Sequence, residues 1–106
     1  PRIKEKLEQV KGELAEREVE ASTGGGAVTA AANGKLRIVR ITFDHALLSG
    51  LIDPSAPEDG QLAADLVAGA CNAALDKAQE MVAGALQDAA NELGLPIPTG
   101  ALEGLL

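Results

Sequence analysis

From Leu62 to Leu93 apolar and small residues recur at helical spacing without a break, through Leu66, Val67, Ala70, Ala74, Ala78, Met81, Val82, Ala85, Leu86 and Ala89. Ser55-Ala56-Pro57-Glu58 has the spacing of a capping box with Pro in the first turn, so a helix is expected to begin there; Gly94 and Pro96 stop it. About 36 residues at 1.5 Å each make a rod of ~54 Å, whereas a compact chain of this length has a radius of gyration near 13 Å. One small domain cannot enclose such a helix. It must overhang, bend or find a partner, and Gly69 and Gly84 mark the candidate bends or close helix contacts.

The rest of the chain offers little bulk to bury. Among 106 residues there are 20 alanines, and Phe43 is the one aromatic. A core this thin predicts one domain completed by apolar contact with a second copy. Ile3, Leu7, Val10 and Leu14 form a narrow heptad seam in an otherwise charged segment, the pattern of a helix facing one partner helix. Gly12 interrupts it at a cost of about 1 kcal/mol relative to Ala, which implies a close contact or a weak helix.

The helical period fails from Val19. Thr23 and Gly24-Gly25-Gly26 form a joint between extended pieces, and segments 27–32 and 36–43 flank Asn33-Gly34, the signature of a two-residue hairpin with positive φ at both positions. In the second arm Val39, Ile41 and Phe43 are expected on one face, with Leu36, Ile38, Arg40 and Thr42 on the other. Ala30, Ala31 and Ala32 are weak strand formers, so the hairpin must impose their pairing. Residues 44–54 read as a connection. The tail from 94 to 106, with two prolines and two more glycines among its aliphatics, reads as flexible, or docked through Leu95, Ile97, Leu102, Leu105 and Leu106.

Nine basic against sixteen acidic side chains give a net charge of -7, unevenly spread. Residues 23–43 hold Lys35, Arg37 and Arg40 and no acid, while residues 44–106 hold ten acids and Lys77. The composition alone argues against non-specific attraction to DNA or anionic lipid, yet the middle third is a cationic island. Cys71 is alone, which fits a reducing compartment, and no apolar run is long enough to span a membrane. The chain opens at Pro1 without Met, leaving room for residues upstream.

Little points to catalysis or cofactors. His45 reads as a surface or locally bonded histidine and Cys71 as a small buried hydrophobe. Asp76 with Glu80 and Asp88 with Glu92 lack the further oxygens a hard cation needs, so no metal site is expected. Gly24-Gly25-Gly26 leads into a strand, unlike a phosphate-binding loop, which leads into a helix. Asn72 is either exposed or backbone-bonded, or a polar lock across a helix interface.

Taken in order, Glu18-Val19-Glu20-Ala21, Gly24-Gly25-Gly26-Ala27-Val28, Asn33-Gly34, Ile41-Thr42-Phe43-Asp44, Leu47-Leu48 and Leu66-Val67 through Ala70-Cys71-Asn72-Ala73-Ala74 resemble the YbaB/EbfC family of bacterial nucleoid-associated proteins. The resemblance covers residues 3 to about 93 and implies an α+β chain, α-β-β-β-α, with a small antiparallel sheet and a long C-terminal helix, assembled as an intertwined homodimer with projecting helical arms. It further implies a cytoplasmic, nucleoid-associated protein that binds double-stranded DNA with little sequence preference and is not an enzyme. The alanines at 30–32 and the acidic long helix depart from the family pattern. Contact candidates come from charge alone: Lys35, Arg37 and Arg40 on the hairpin, with Lys4 and Lys11 on one face of the first helix. Without Trp or Tyr for stacking, phosphate contact is the expected mode. The competing reading is a dimeric adaptor that binds protein through its acidic helices or apolar tail and has weak or no affinity for DNA.

Overall fold

A computed structural model describes residues 2–94; the tail from residue 95 lies outside the described residues. The order is α1 (Arg2–Glu16), β1 (Glu18–Thr23), a short glycine turn (Gly24–Gly26), β2 (Val28–Asn33), β3 (Ile38–Phe43), α2 (His45–Leu51) and α3 (Pro57–Glu92). The strands form one antiparallel sheet in the order β1-β2-β3, and α3 lies across β1 and β2. The chain is α+β, as expected. α3 runs unbroken past both Gly69 and Gly84, and it stretches the molecule to 60 × 23 × 17 Å with a radius of gyration of 17.9 Å.

Small side chains build the main core. Ala21, Ala30 and Ala32 of the sheet meet Ala70, Ala74 and Ala78 of α3, and Val28 is the largest fully buried side chain. Weak strand propensity at residues 30–32 is outweighed by tertiary packing, since methyl groups on both layers allow helix and sheet backbones to approach closely. Two polar contacts fasten the layers. Thr23 Oγ1 donates to the Leu66 carbonyl at 2.6 Å, and Lys77 Nζ donates to the Glu20 carbonyl at 2.9 Å. A Cβ at Gly69 would stand 3.2 Å from Thr23 Cγ2, so this glycine marks a close contact and not a bend.

A second cluster joins α1 to the far half of α3. Val10 and Leu14 bury themselves against Val82 and Ala89, with Met81, Ala85, Leu86 and Leu36 around them, and the Lys6–Glu92 ion pair closes the other end. The seam of α1 thus finds its partner helix within the same chain at Val10 and Leu14, while Ile3 and Leu7 stay exposed. Gly12 has nothing within 4 Å of a Cβ, so the protomer's own packing does not demand it.

Five local expectations need correction. The β2–β3 connection is a three-residue loop: Leu36 N donates to Asn33 O and Asn33 N to Arg37 O, both at 3.0 Å, and the left-handed residue is Leu36 at φ 62°. Gly34 does not have positive φ; it is required because a Cβ there would fall 2.3 Å from the Leu14 carbonyl oxygen, to which Gly34 N donates at 2.9 Å. A bulge at Val39, between the Ala31–Arg40 and Ala32–Ile38 pairs, puts Ile38 on the same face as Ile41 and Phe43 instead of with Arg40 and Thr42. Residues 44–54 are not a plain connection, because Asp44 caps α2 by accepting from Leu47 N at 3.0 Å. The Ser55 capping box does not form: α3 begins after Ala56 without a side-chain cap, and Ser55 bonds Asp53 instead.

Candidate nucleic-acid interface

The basic candidates occupy three environments. Lys35 and Arg37 flank Leu36 at the tip of the β2–β3 hairpin, exposed and in no salt bridge among the described residues. Their backbone is held by Asn33, whose Oδ1 accepts from Lys35 N at 2.9 Å and Arg37 N at 3.4 Å. Leu36 between them packs into both apolar clusters, so the tip is anchored to the sheet core and to the α1–α3 contact at once. Two cations therefore project from a braced loop, the arrangement that loses least entropy when an anionic ligand is held.

Arg40 points elsewhere. It lies on the face of the sheet opposite α3, where the small Ala31 side chain on β2 separates it from β1. Its guanidinium bonds Glu18 at 2.8 Å and reaches Glu20 at 3.6 Å, and the hydrogen bond and charge of Glu18 raise its already high pKa. A phosphate would have to compete with two carboxylates for it. The signal for this pairing is the Glu-x-Glu alternation of β1, which puts both acids on one face of a strand.

Lys4 and Lys11 are exposed on α1. The Gly34–Leu14 hydrogen bond docks the hairpin tip on the last turn of α1, three residues from Lys11; Lys4 lies ~15 Å from Leu14 along the axis at 1.5 Å per residue. The structure thus groups Lys35 and Arg37 with Lys11, leaves Lys4 farther along the arm and removes Arg40 to the far face. Glu13 and Glu16, within a turn of the same contact, temper the local positive potential. The cap supplied by the Asn33 side chain went unread in the sequence, where Asn33-Gly34 was a statement about φ alone.

Of the remaining candidates, His45 is exposed at the start of α2, Cys71 is half-buried against the alanine core, and Asn72 is exposed. Among the described residues no three His, Cys, Asp or Glu gather as a metal site, and no helix is long and apolar enough to cross a membrane.

A family model described as the YbaB/EbfC DNA-binding family matches residues 1–93. A nucleoid-associated protein of Clostridium novyi is 37% identical over 95 residues, covering 90% of this chain and 77% of the relative. A nucleoid-associated protein of Moorella thermoacetica is 40% identical over 84 residues, covering 79% of this chain and 74% of its own length. Among solved structures, an uncharacterized protein of Helicobacter pylori superimposes with a TM-score of 0.56 at 22% identity, over 74% of this chain and 83% of that one, a likeness of fold.

Proposed function

The chain belongs to the YbaB/EbfC DNA-binding family, and from that premise we propose that it is a nucleoid-associated DNA-binding protein that acts without catalysis, as a homodimer, through phosphates. The observation that carries this reading is the hairpin tip, where Lys35 and Arg37 stand exposed, in no salt bridge among the described residues, on a loop braced by Asn33 and Leu36. Lys11 extends the cationic surface along α1, with Lys4 at its distal end. Phosphate contacts hold a duplex without reading its bases, and the long α3 carries Lys77 as its single base.

The case for a dimer rests on β3. It is an edge strand whose Val39, Ile41 and Phe43 are 44%, 39% and 42% exposed, and Leu47 and Leu51 of α2 are equally uncovered. An exposed apolar edge is a template for pairing, and a second copy is the partner at hand. A dimer has two tips and so four such cations while carrying a formal charge of -14, twice the chain's -7. Binding is accordingly weak and salt-sensitive, with the acidic α3 turned from the duplex.

Titration with duplex DNA from low to physiological salt tests this. With four to six phosphates neutralised per dimer, log affinity falls against log salt with a slope of roughly -4 to -5, from about 0.9 per phosphate. No binding at low salt would put the adaptor reading in its place.

A further inference from the structure

The α1–α3 arm carries a groove of about 470 Å³ that reaches from Val19 of β1 to Glu92 of α3, with Val10, Leu14, Met81, Ala85 and Ala89 among its apolar lining. Gly84 opens into it. A Cβ there meets nothing within 4 Å, so this glycine serves no packing inside the protomer, although mid-helix it costs about 1 kcal/mol relative to Ala. Glu80 and Asp88 lie one helical turn to either side of Gly84, and Glu13 faces them from α1. Lys6 is already paired with Glu92, which among the described residues leaves Arg17 as the one unpaired base against three acids around the rim.

We propose that this groove docks a cationic amphipathic helix of a partner protein, with an aliphatic side chain seated over Gly84 and Lys or Arg one turn to either side, facing Glu80 and Asp88. The inference does not rest on DNA binding. Charge selects the occupant: a groove that mixes apolar side chains with an acidic rim repels nucleic acid and favours a basic amphipathic helix, and helix-in-groove recognition uses anchors at this spacing. Residues 80 to 92 span ~18 Å, which accommodates about three turns. Residues 95–106 of this chain carry Glu103 and no base, and a second copy's arm presents the same acids, so both are electrostatically mismatched to the rim.

The test uses the full chain and two labelled 14-residue helical peptides with one leucine pattern, one with Lys and one with Glu at the polar positions, followed by anisotropy at 0.1 M salt. The Lys peptide should bind and the Glu peptide should not. Gly84→Leu, which fills open space and favours the helix, should weaken Lys-peptide binding tenfold or more with unchanged circular dichroism. Glu80→Lys with Asp88→Lys should do the same, whereas Asp65→Lys with Asp76→Lys, an equal charge change on the same helix outside the groove, should alter it less than twofold. Lys35→Glu with Arg37→Glu should leave it intact, which separates this inference from the DNA reading. Equal losses in the two acid-to-lysine pairs would reduce the effect to net charge and overturn the proposal, as would unaltered binding by Gly84→Leu. Conversion of a dimer to monomer by Gly84→Leu would assign the groove to a second copy. A tenfold gain in peptide affinity on Leu102→Asp with Leu105→Asp would assign it to the chain's own tail. Either result overturns the partner.

Discussion

Replacing Gly34 with Ala adds a single methyl group at the most crowded glycine among the described residues. The new Cβ would lie 2.3 Å from the Leu14 carbonyl oxygen and 2.6 Å from the Leu14 carbonyl carbon and Cβ, all of them atoms of a helix that is itself packed on α3. To restore even a tight contact of 3.0 Å, the tip and α1 must part by roughly 0.7 Å. That strains or breaks the 2.9 Å hydrogen bond from Gly34 N, worth about 0.5–1.5 kcal/mol net, and loosens Leu14, whose full burial is worth about 1.5–3 kcal/mol. A loss of about 2–3 kcal/mol follows, or roughly 10–20 °C in melting temperature for a domain of this size. Thermal unfolding followed by circular dichroism at fixed protein concentration measures it. Gly84→Ala is the matched control: its Cβ meets nothing, so helix propensity alone should raise the melting temperature, by about 1 kcal/mol equivalent. If Gly34→Ala melted within about 3 °C of the parent, the close approach of hairpin and helix would not be what selects glycine there.

Three further outcomes are expected. Lys35→Glu with Arg37→Glu should flatten the salt dependence of DNA binding and weaken it alike on unrelated sequences; unchanged affinity would shift the contact surface to Lys4 and Lys11. Ile41→Arg with Phe43→Arg places charge on the exposed β3 face and should give a monomer by sedimentation at micromolar concentration, where the parent sediments at twice the chain mass; a parent that sediments as a monomer refutes the assembly. Thr23→Val keeps the side-chain shape but leaves the Leu66 carbonyl without its hydroxyl donor, and should cost about 1–2 kcal/mol in urea unfolding.

What the sequence disclosed followed the range of the interaction involved. The length of α3, the Val10 and Leu14 half of the α1 seam and the existence of the β2–β3 hairpin rest on periodicity and turn chemistry within a few residues, and these were legible, whereas Ile3 and Leu7 of the same seam stay exposed. The hairpin's loop geometry was not, because the glycine at 34 answers to Leu14, twenty residues away, and the left-handed position fell to a leucine held by two clusters. Arg40 read as a free cation because its partners sit on β1, two strands across, and only the sheet register brings them together. Lys35 and Arg37 were legible as an exposed pair, but the Asn33 side chain that shapes their loop was visible only once the turn was known. The α2 helix hid behind a single capping aspartate in a segment too short to show a period.

The alanines that α3 turns toward the sheet stand at 70, 74 and 78, one turn apart and chemically identical. A displacement of the helix by four residues, about 6 Å along its axis, would still lay methyl on methyl at two of the three positions and bring Leu66 or Val82 to the third, so the apolar contact is partly degenerate with respect to sliding. The degeneracy is lifted by groups that do not repeat: the Thr23 hydroxyl on the Leu66 carbonyl near one end, and the Lys77 ammonium on the Glu20 carbonyl near the other. Hydrophobic burial then supplies the adhesion of the two layers and hydrogen bonds supply their address. Because α1 and the hairpin tip are fastened to the same helix, the address set at Thr23 and Lys77 also fixes how far the basic tip stands from the end of the arm.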